Sequence, residues 1–166
     1  MTFIAGAYAF TYKAPGGGSP ASIGATEQGF ELRDQMHMEP IQSDDYGEGR
    51  AGGIQQGRSA SVRLTGIEYG AMRAAIYSSH PLGDAKANVG RSMHDLAGEI
   101  VATPTTGTPA AALEGTYTFK YAACASDLEM IFGSKLRKVP VTFDLLPDPA
   151  TGKLWVVGAG SSGGGT

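Results

Sequence analysis

Cys124, set against His80 or His94, supplies the residue types of a thiol nucleophile and its base. Such a thiol must be accessible and held partly as thiolate. Cys124 instead falls in the small-residue run Ala122-Ala123-Cys124-Ala125, which reads as a strand packed against a close neighbour. A buried, inert thiol is therefore expected. His37 falls on the wet face of a predicted strand and His94 in a polar turn, and neither has a partner at a metal-ligating spacing such as H-x-x-x-H. Asp44, Asp45 and Glu48 suggest a calcium loop, but the D-x-[DN]-x-[DN]-G order is absent, which leaves a solvated acidic loop. Gly158-Ala159-Gly160-Ser161-Ser162-Gly163 matches G-x-G-x-x-G after a strand, yet a dinucleotide site needs a helix and a further βα unit, and only three residues follow. No P-loop occurs. No catalytic, cofactor-binding or metal-ligating residue is expected, and the chain does not read as an enzyme.

The elements that position these residues are mostly strands. Tyr8, Phe10 and Tyr12 alternate with Ala7, Ala9 and Thr11 in a first strand, and Ala14–Pro20 is a flexible hairpin loop. Ser22-Ile23-Gly24 starts a short strand. Phe30, Leu32, Met36 and Met38 alternate with Glu31, Arg33, Gln35 and His37, while Asp34 interrupts the apolar face and predicts a bulge or a twist there. From residue 40 to residue 57 the alternation dissolves into a long loop rich in Gly and charge. Ala60, Val62 and Leu64 then face in, and Ser59, Ser61 and Arg63 face out. Thr65 and Glu68 fit a capping box ahead of a helical stripe of Tyr69, Met72, Ala75 and Ile76, which should end near Ser78–Ser79 before Pro81. Residues 92–103 predict a turn of helix and then a strand. Tyr117, Phe119 and Tyr121 mark another strand after a loop at 104–115.

The clearest strand is Val139–Leu145, where Val139, Val141, Phe143 and Leu145 point one way and Pro140, Thr142 and Asp144 the other. Pro140 cannot donate to a ladder, so it must stand at an edge or a bulge. Leu154–Val157 closes the domain, assigned as 1–157, and 158–166 reads as a flexible Gly/Ser tail. The sum is a mainly β domain with one flanking helix, a sandwich or barrel of two packed sheets or one sheet curled into a barrel. Six or seven strands leave edges that a soluble protein must hide or use.

Composition bounds the function. A chain of 166 residues, 42% hydrophobic, supports one core. A net charge of −3 argues against tight nucleic-acid binding. One cysteine excludes an intrachain disulfide framework and a multi-cysteine zinc site. Nothing reaches transmembrane length. No positive charge precedes Lys13 at the apolar N-terminus, so a signal peptide is not expected and cytoplasmic synthesis is the default.

Three segments in order resemble one family. They are Ser22-Ile23-Gly24 with Thr26-Glu27-Gln28-Gly29-Phe30; Ser43-Asp44-Asp45-Tyr46-Gly47 with Gly53-Ile54-Gln55-Gln56-Gly57 and the strand after it; and Val139-Pro140-Val141-Thr142-Phe143 with Leu146-Pro147-Asp148. Together they are similar to the major tail tube protein of long-tailed (siphovirus-like) bacteriophages over about residues 2–157. The Ala14–Pro20 insertion and the glycine tail depart from that pattern and leave the termini unassigned. The resemblance implies the tail tube fold, shared with the tube protein of type VI secretion. It also implies a structural virion protein without enzymatic activity, in hexameric rings stacked into a hollow tube that conducts DNA from capsid to cell. Its implied partners are further copies of the chain, a tape measure protein, a tail terminator, baseplate or tail-tip proteins and passing double-stranded DNA, with no membrane. The implied location is the virion tail, after synthesis in the host cytoplasm.

A closed ring needs a heterologous interface, and stacked rings need a second one. Sheet edges suit the first. The 40–57 loop suits the second, through Ser43, Asp44, Asp45, Tyr46, Gly47, Glu48, Arg50, Ile54 and Gln55. Glu31, Arg33, Gln35, Ser59, Ser61 and Arg63 are candidates for lining the channel, where an acidic subunit lets phosphates slide. The alternatives are a tail terminator or another single-ring virion component of the same fold, and then a small β-barrel binding module.

Overall fold

The computed structural model describes residues 8–42, 50–78, 84–105, 115–124, 127 and 138–158. Among these residues, eight strands and two helices follow one another as β1 (Tyr8–Lys13), β2 (Ala21–Ser22), β3 (Thr26–Gln42), β4 (Arg50–Gly66), α1 (Tyr69–Tyr77), α2 (Met93–Leu96), β5 (Gly98–Pro104), β6 (Thr116–Cys124), β7 (Val139–Leu145) and β8 (Val156–Gly158). The fold is mainly β, as the alternation of apolar residues requires. All pairings are antiparallel, in the order β2-β1-β5-β6-β7-β4-β3, with β8 also on β6.

The described strands form one continuous sheet, and two separate sheets are not seen among them. Its corner is the short β6–β7 ladder, where only Ala122, Ala123 and Cys124 meet Leu145, Asp144 and Phe143. Beyond it the two ends of the sheet fold over each other, so that Phe30 of β3 touches the rings of Phe10 on β1 and of Tyr117 and Phe119 on β6. Phe10, Ile100, Phe119, Val62, Leu64, Val141 and Phe143 fill the space between with Met72 and Ile76 of α1. Each buried side chain of this size contributes roughly 1.5–3 kcal/mol. The small residues Ala122, Ala123 and Cys124 let the corner close tightly.

The β7 alternation holds throughout, with Val139, Val141, Phe143 and Leu145 buried and Pro140 and Asp144 exposed. Pro140 pairs Thr65 on one side, while the β6 ladder stops at Phe143, so on the other side no strand among the described residues needs its missing amide. The α1 stripe is also as read, with Met72, Ala75 and Ile76 buried and Ser78 at the C-cap. A turn of helix at Met93–Leu96 does precede a strand.

Four expectations are corrected. Within the 40–57 loop, residues 40–42 and 50–57 are strand, since β3 runs to Gln42 and β4 starts at Arg50, and 43–49 lie outside the described residues. A ribbon wet on both faces has no reason to alternate, so its sequence carries no strand signature. Asp34 is not a bulge; it pairs Ala60 in register, and the shifts lie at Glu27/Phe30, His37/Met38 and Ile41/Gln42. The first of these is made by Gly29 at φ 76, a left-handed conformation that suits glycine. The capping box does not form, because β4 uses the Thr65 backbone opposite both Glu27 and Pro140, and α1 starts after Glu68 without a side-chain cap. The closing strand is Val156–Gly158, so Gly158 belongs to the sheet.

Candidate functional site

β4 pairs β7 only from Ala60 to Gly66. Further out, among the described residues, β3 and β4 pair only with each other, through Gln35↔Ser59, Met36↔Arg58, His37↔Gly57, Met38↔Gln55, Glu39↔Ile54, Pro40↔Gly53, Ile41↔Gly52 and Gln42↔Arg50. They form an arm that projects from the curled sheet. Such a two-stranded ribbon is marginally stable in water by itself. Its cross-strand hydrogen bonds include His37 Nε2 with Ser59 Oγ at 2.9 Å and Gln56 donating to Glu39. The arm also carries Met36, Met38, Ile41 and Ile54, between 44% and 58% exposed, which are half of the large exposed hydrophobics among the described residues. Apolar groups gathered on a projection mark an interaction surface more than scattered ones do.

The six polar residues singled out from the sequence come together. Glu31 faces Arg63, Arg33 faces Ser61 and Gln35 faces Ser59, so all six share the outer face of β3–β4. On β7, Thr142 and Asp144 extend the same rows beside Arg63 and Ser61. Arg33 Nε donates to Glu31 Oε1 at 3.0 Å. Arg33 and Arg63 offset Glu31 and Asp144, so this face is mixed in charge and not acidic. Along its outer edge β3 has no strand partner among the described residues.

Of the residues assigned to ring stacking, Ser43, Asp44, Asp45, Tyr46, Gly47 and Glu48 lie outside the described residues. Arg50, Ile54 and Gln55 stand on the arm strand β4. Ile54 is exposed, and Gln55 lines an open groove of about 450 Å³ between the arm and Pro147, Gly152, Lys153, Leu154 and Trp155.

The candidate chemistry disperses. Cys124 is buried in the core cluster. His94 stacks on Tyr121, with ring centroids 5.3 Å apart, and its Nε2 lies 3.1 Å from the Pro147 carbonyl oxygen. His80 and residues 159–166 lie outside the described residues. Among those described, no three His, Cys, Asp or Glu side chains gather as a metal site, and no helix is long and apolar enough to cross a membrane. An open cleft of about 770 Å³ beside α2 is lined by Lys13, Arg91 and Lys120 as well as Asp95 and Glu99, so it has no dominant charge.

One buried carboxylate was not singled out from the sequence. Asp148 accepts from Lys120 Nζ at 2.9 Å, from the Ala150 amide at 3.0 Å and from Thr151 Oγ1 at 3.0 Å. The Lys120 hydrogen bond, and after it the Ala150 amide, holds its pKa below the usual carboxylate value. These bonds pin the turn between β7 and β8 onto β6, helped by Leu146 N donating to Tyr121 O at 2.8 Å. The Asp-Pro-x-Thr-Gly run signals the turn, but nothing local points to Lys120.

No protein-family profile matches the chain, and no curated protein matches it at a significant level.

Proposed function

We propose that this chain is a structural subunit that assembles with copies of itself into hexameric rings stacked as the tail tube of a long-tailed bacteriophage, through which DNA passes into the host. The observation that carries the reading is the arm: a ribbon with too little contact to be rigid alone, bearing Met36, Met38, Ile41 and Ile54 in the open. A second copy that covers them removes apolar surface from water and stiffens the ribbon together. The outer edge of β3, which has no strand partner among the described residues, offers backbone groups to a neighbouring strand, which suits lateral closure of a ring. The ring number of six rests on the tail tube resemblance.

In this reading the outer face of β3–β4 lines the channel. Its alternating Glu31, Arg33, Ser59, Ser61 and Arg63 give passing phosphates no continuous basic track and so little counterion release. The tape measure protein, tail terminator and baseplate or tail-tip proteins are proposed partners, and the virion tail the proposed location. Negative-stain electron microscopy of the purified chain tests this. Stacked-ring tubes are expected. Lone rings would point to a terminator, and a persistent monomer that binds a small ligand to a binding module; either replaces the tube reading.

A further inference from the structure

We propose that Asp34, Arg58 and Trp155 form a clamp that fixes the direction in which the arm leaves the sheet. The last ladder pair tying β4 to β7 is Ala60↔Leu145. Arg58 lies two residues further out, on the same face as buried Ala60, where the core has ended. Its Nε donates to Asp34 Oδ1 at 3.2 Å and its Nη2 to Asp34 Oδ2, which binds the two arm strands to each other. Its Cζ lies 5.9 Å from the centroid of the Trp155 ring, within cation–π range. Trp155 belongs to the body: it packs against the core cluster just after the Asp148 turn. Arg58 and Gln55 thus form the arm wall of the groove, and Pro147, Leu154 and Trp155 the body wall.

A ribbon joined to a sheet by its own backbone alone can swing and twist about its root. A guanidinium that grips a carboxylate on one strand and lies over an indole on the body removes that freedom. Lysine cannot do both, because it lacks the planar fork. The clamp goes beyond the tube reading, since a subunit of any oligomer would gain from an arm held in its docking direction. It is tested in the unassembled subunit, so tube formation and the clamp can fail separately.

Trp155 is the only tryptophan, so its fluorescence reports the clamp directly. Subunits of the wild type, Arg58→Ala, Arg58→Lys and Asp34→Asn, isolated by gel filtration, are compared by Trp155 emission and amide hydrogen exchange. Arg58→Ala is expected to shift the emission. It should also speed exchange in 36–41 and 52–57 on the order of fivefold, leaving β5 exchange unchanged. Arg58→Lys should recover part of the effect. Asp34→Asn should loosen the arm while keeping the emission near wild type, and it serves as the decisive variant if Arg58→Ala does not fold. Arm exchange and emission unchanged in Arg58→Ala, or arm exchange unchanged in Asp34→Asn, overturns the clamp.

Discussion

Phe30 on β3 meets Tyr8 on β1 edge-on, with ring centroids 5.1 Å apart and planes at 87°, although four strands lie between β1 and β3 in the hydrogen-bonded order. This pair joins the two ends of the sheet across the core. Offset and edge-on aromatic pairs add about 0.5–1.5 kcal/mol to the burial of their area. Phe30→Ala removes this junction together with the contacts to Phe10, Tyr117 and Phe119. Because Phe30 is half-buried, the expected loss is about 2–3 kcal/mol, below the usual cost of a fully buried Phe→Ala. Urea unfolding followed by circular dichroism should show a lower midpoint at an unchanged slope. A midpoint equal to wild type would mean that the sheet closes without this residue.

Gly98 has no side chain because Tyr12 occupies the space: a Cβ there would stand 2.2 Å from Tyr12 Cε2. The Tyr12 hydroxyl is fixed in turn by Ser78 Oγ at 2.5 Å, which ties β1 to the end of α1. The ring therefore has little room to yield. Gly98→Ala is expected to cost about 1–3 kcal/mol by overpacking. The companion variant Tyr12→Leu should relieve the clash, so the double variant should be more stable than the sum of the two singles predicts. Strict additivity in the thermal midpoints would show that the collision is relieved by other means.

What could be read from the sequence followed burial. Val139–Leu145 and the α1 stripe were legible because one face of each is buried and the other wet. The β4 side of the arm was not, because among the described residues 50–57 pair only with β3 and carry Gly52, Gly53 and Gly57 without any apolar period. Thr65 and Glu68 suggested a cap from local chemistry, and long-range pairing with Pro140 overrode it. The polar face was legible as an alternation, whereas its registry of Glu31 with Arg63 needed the fold. The Arg58–Trp155 contact spans distant segments and had no local signal.

Stability should fall at both extremes of pH, by different groups. Lys120 and the Ala150 amide depress the folded-state pKa of Asp148. Its contribution is therefore fully present above the unfolded value of about 3.9 and is lost as pH falls through the lower folded value. Asp148→Asn should be less stable than wild type at neutral pH, with the gap closing below about pH 4. At the alkaline end, burial raises the Tyr12 pKa, and the Asp148 hydrogen bond raises that of Lys120. Their contributions are present below the unfolded values of about 10 and are lost as pH climbs through the folded ones. Thermal midpoints measured across pH check both limbs; a gap between wild type and Asp148→Asn that does not narrow in acid would remove Asp148 from this account.

The arm should be dispensable for folding and necessary for assembly. It lies outside the β4–β7 ladder, and its apolar side chains are not in the core cluster. Replacing residues 38–56 by Asn-Gly joins His37 to Gly57, which already face each other, through a turn that suits a two-residue hairpin. The trimmed chain is expected to keep its circular dichroism and thermal midpoint and to elute as a monomer that forms no tubes. A gentler variant separates apolar contact from arm length: Met36→Gln, Met38→Gln and Ile54→Thr together leave the ribbon intact. If each side chain contributes about 1 kcal/mol on docking, the triple variant loses roughly 3 kcal/mol per subunit. That raises the critical concentration for assembly about a hundredfold, as read by pelleting. Tubes that grow at the wild-type concentration from either variant would mean that copies meet through another surface, with the open edge of β3 the first to probe.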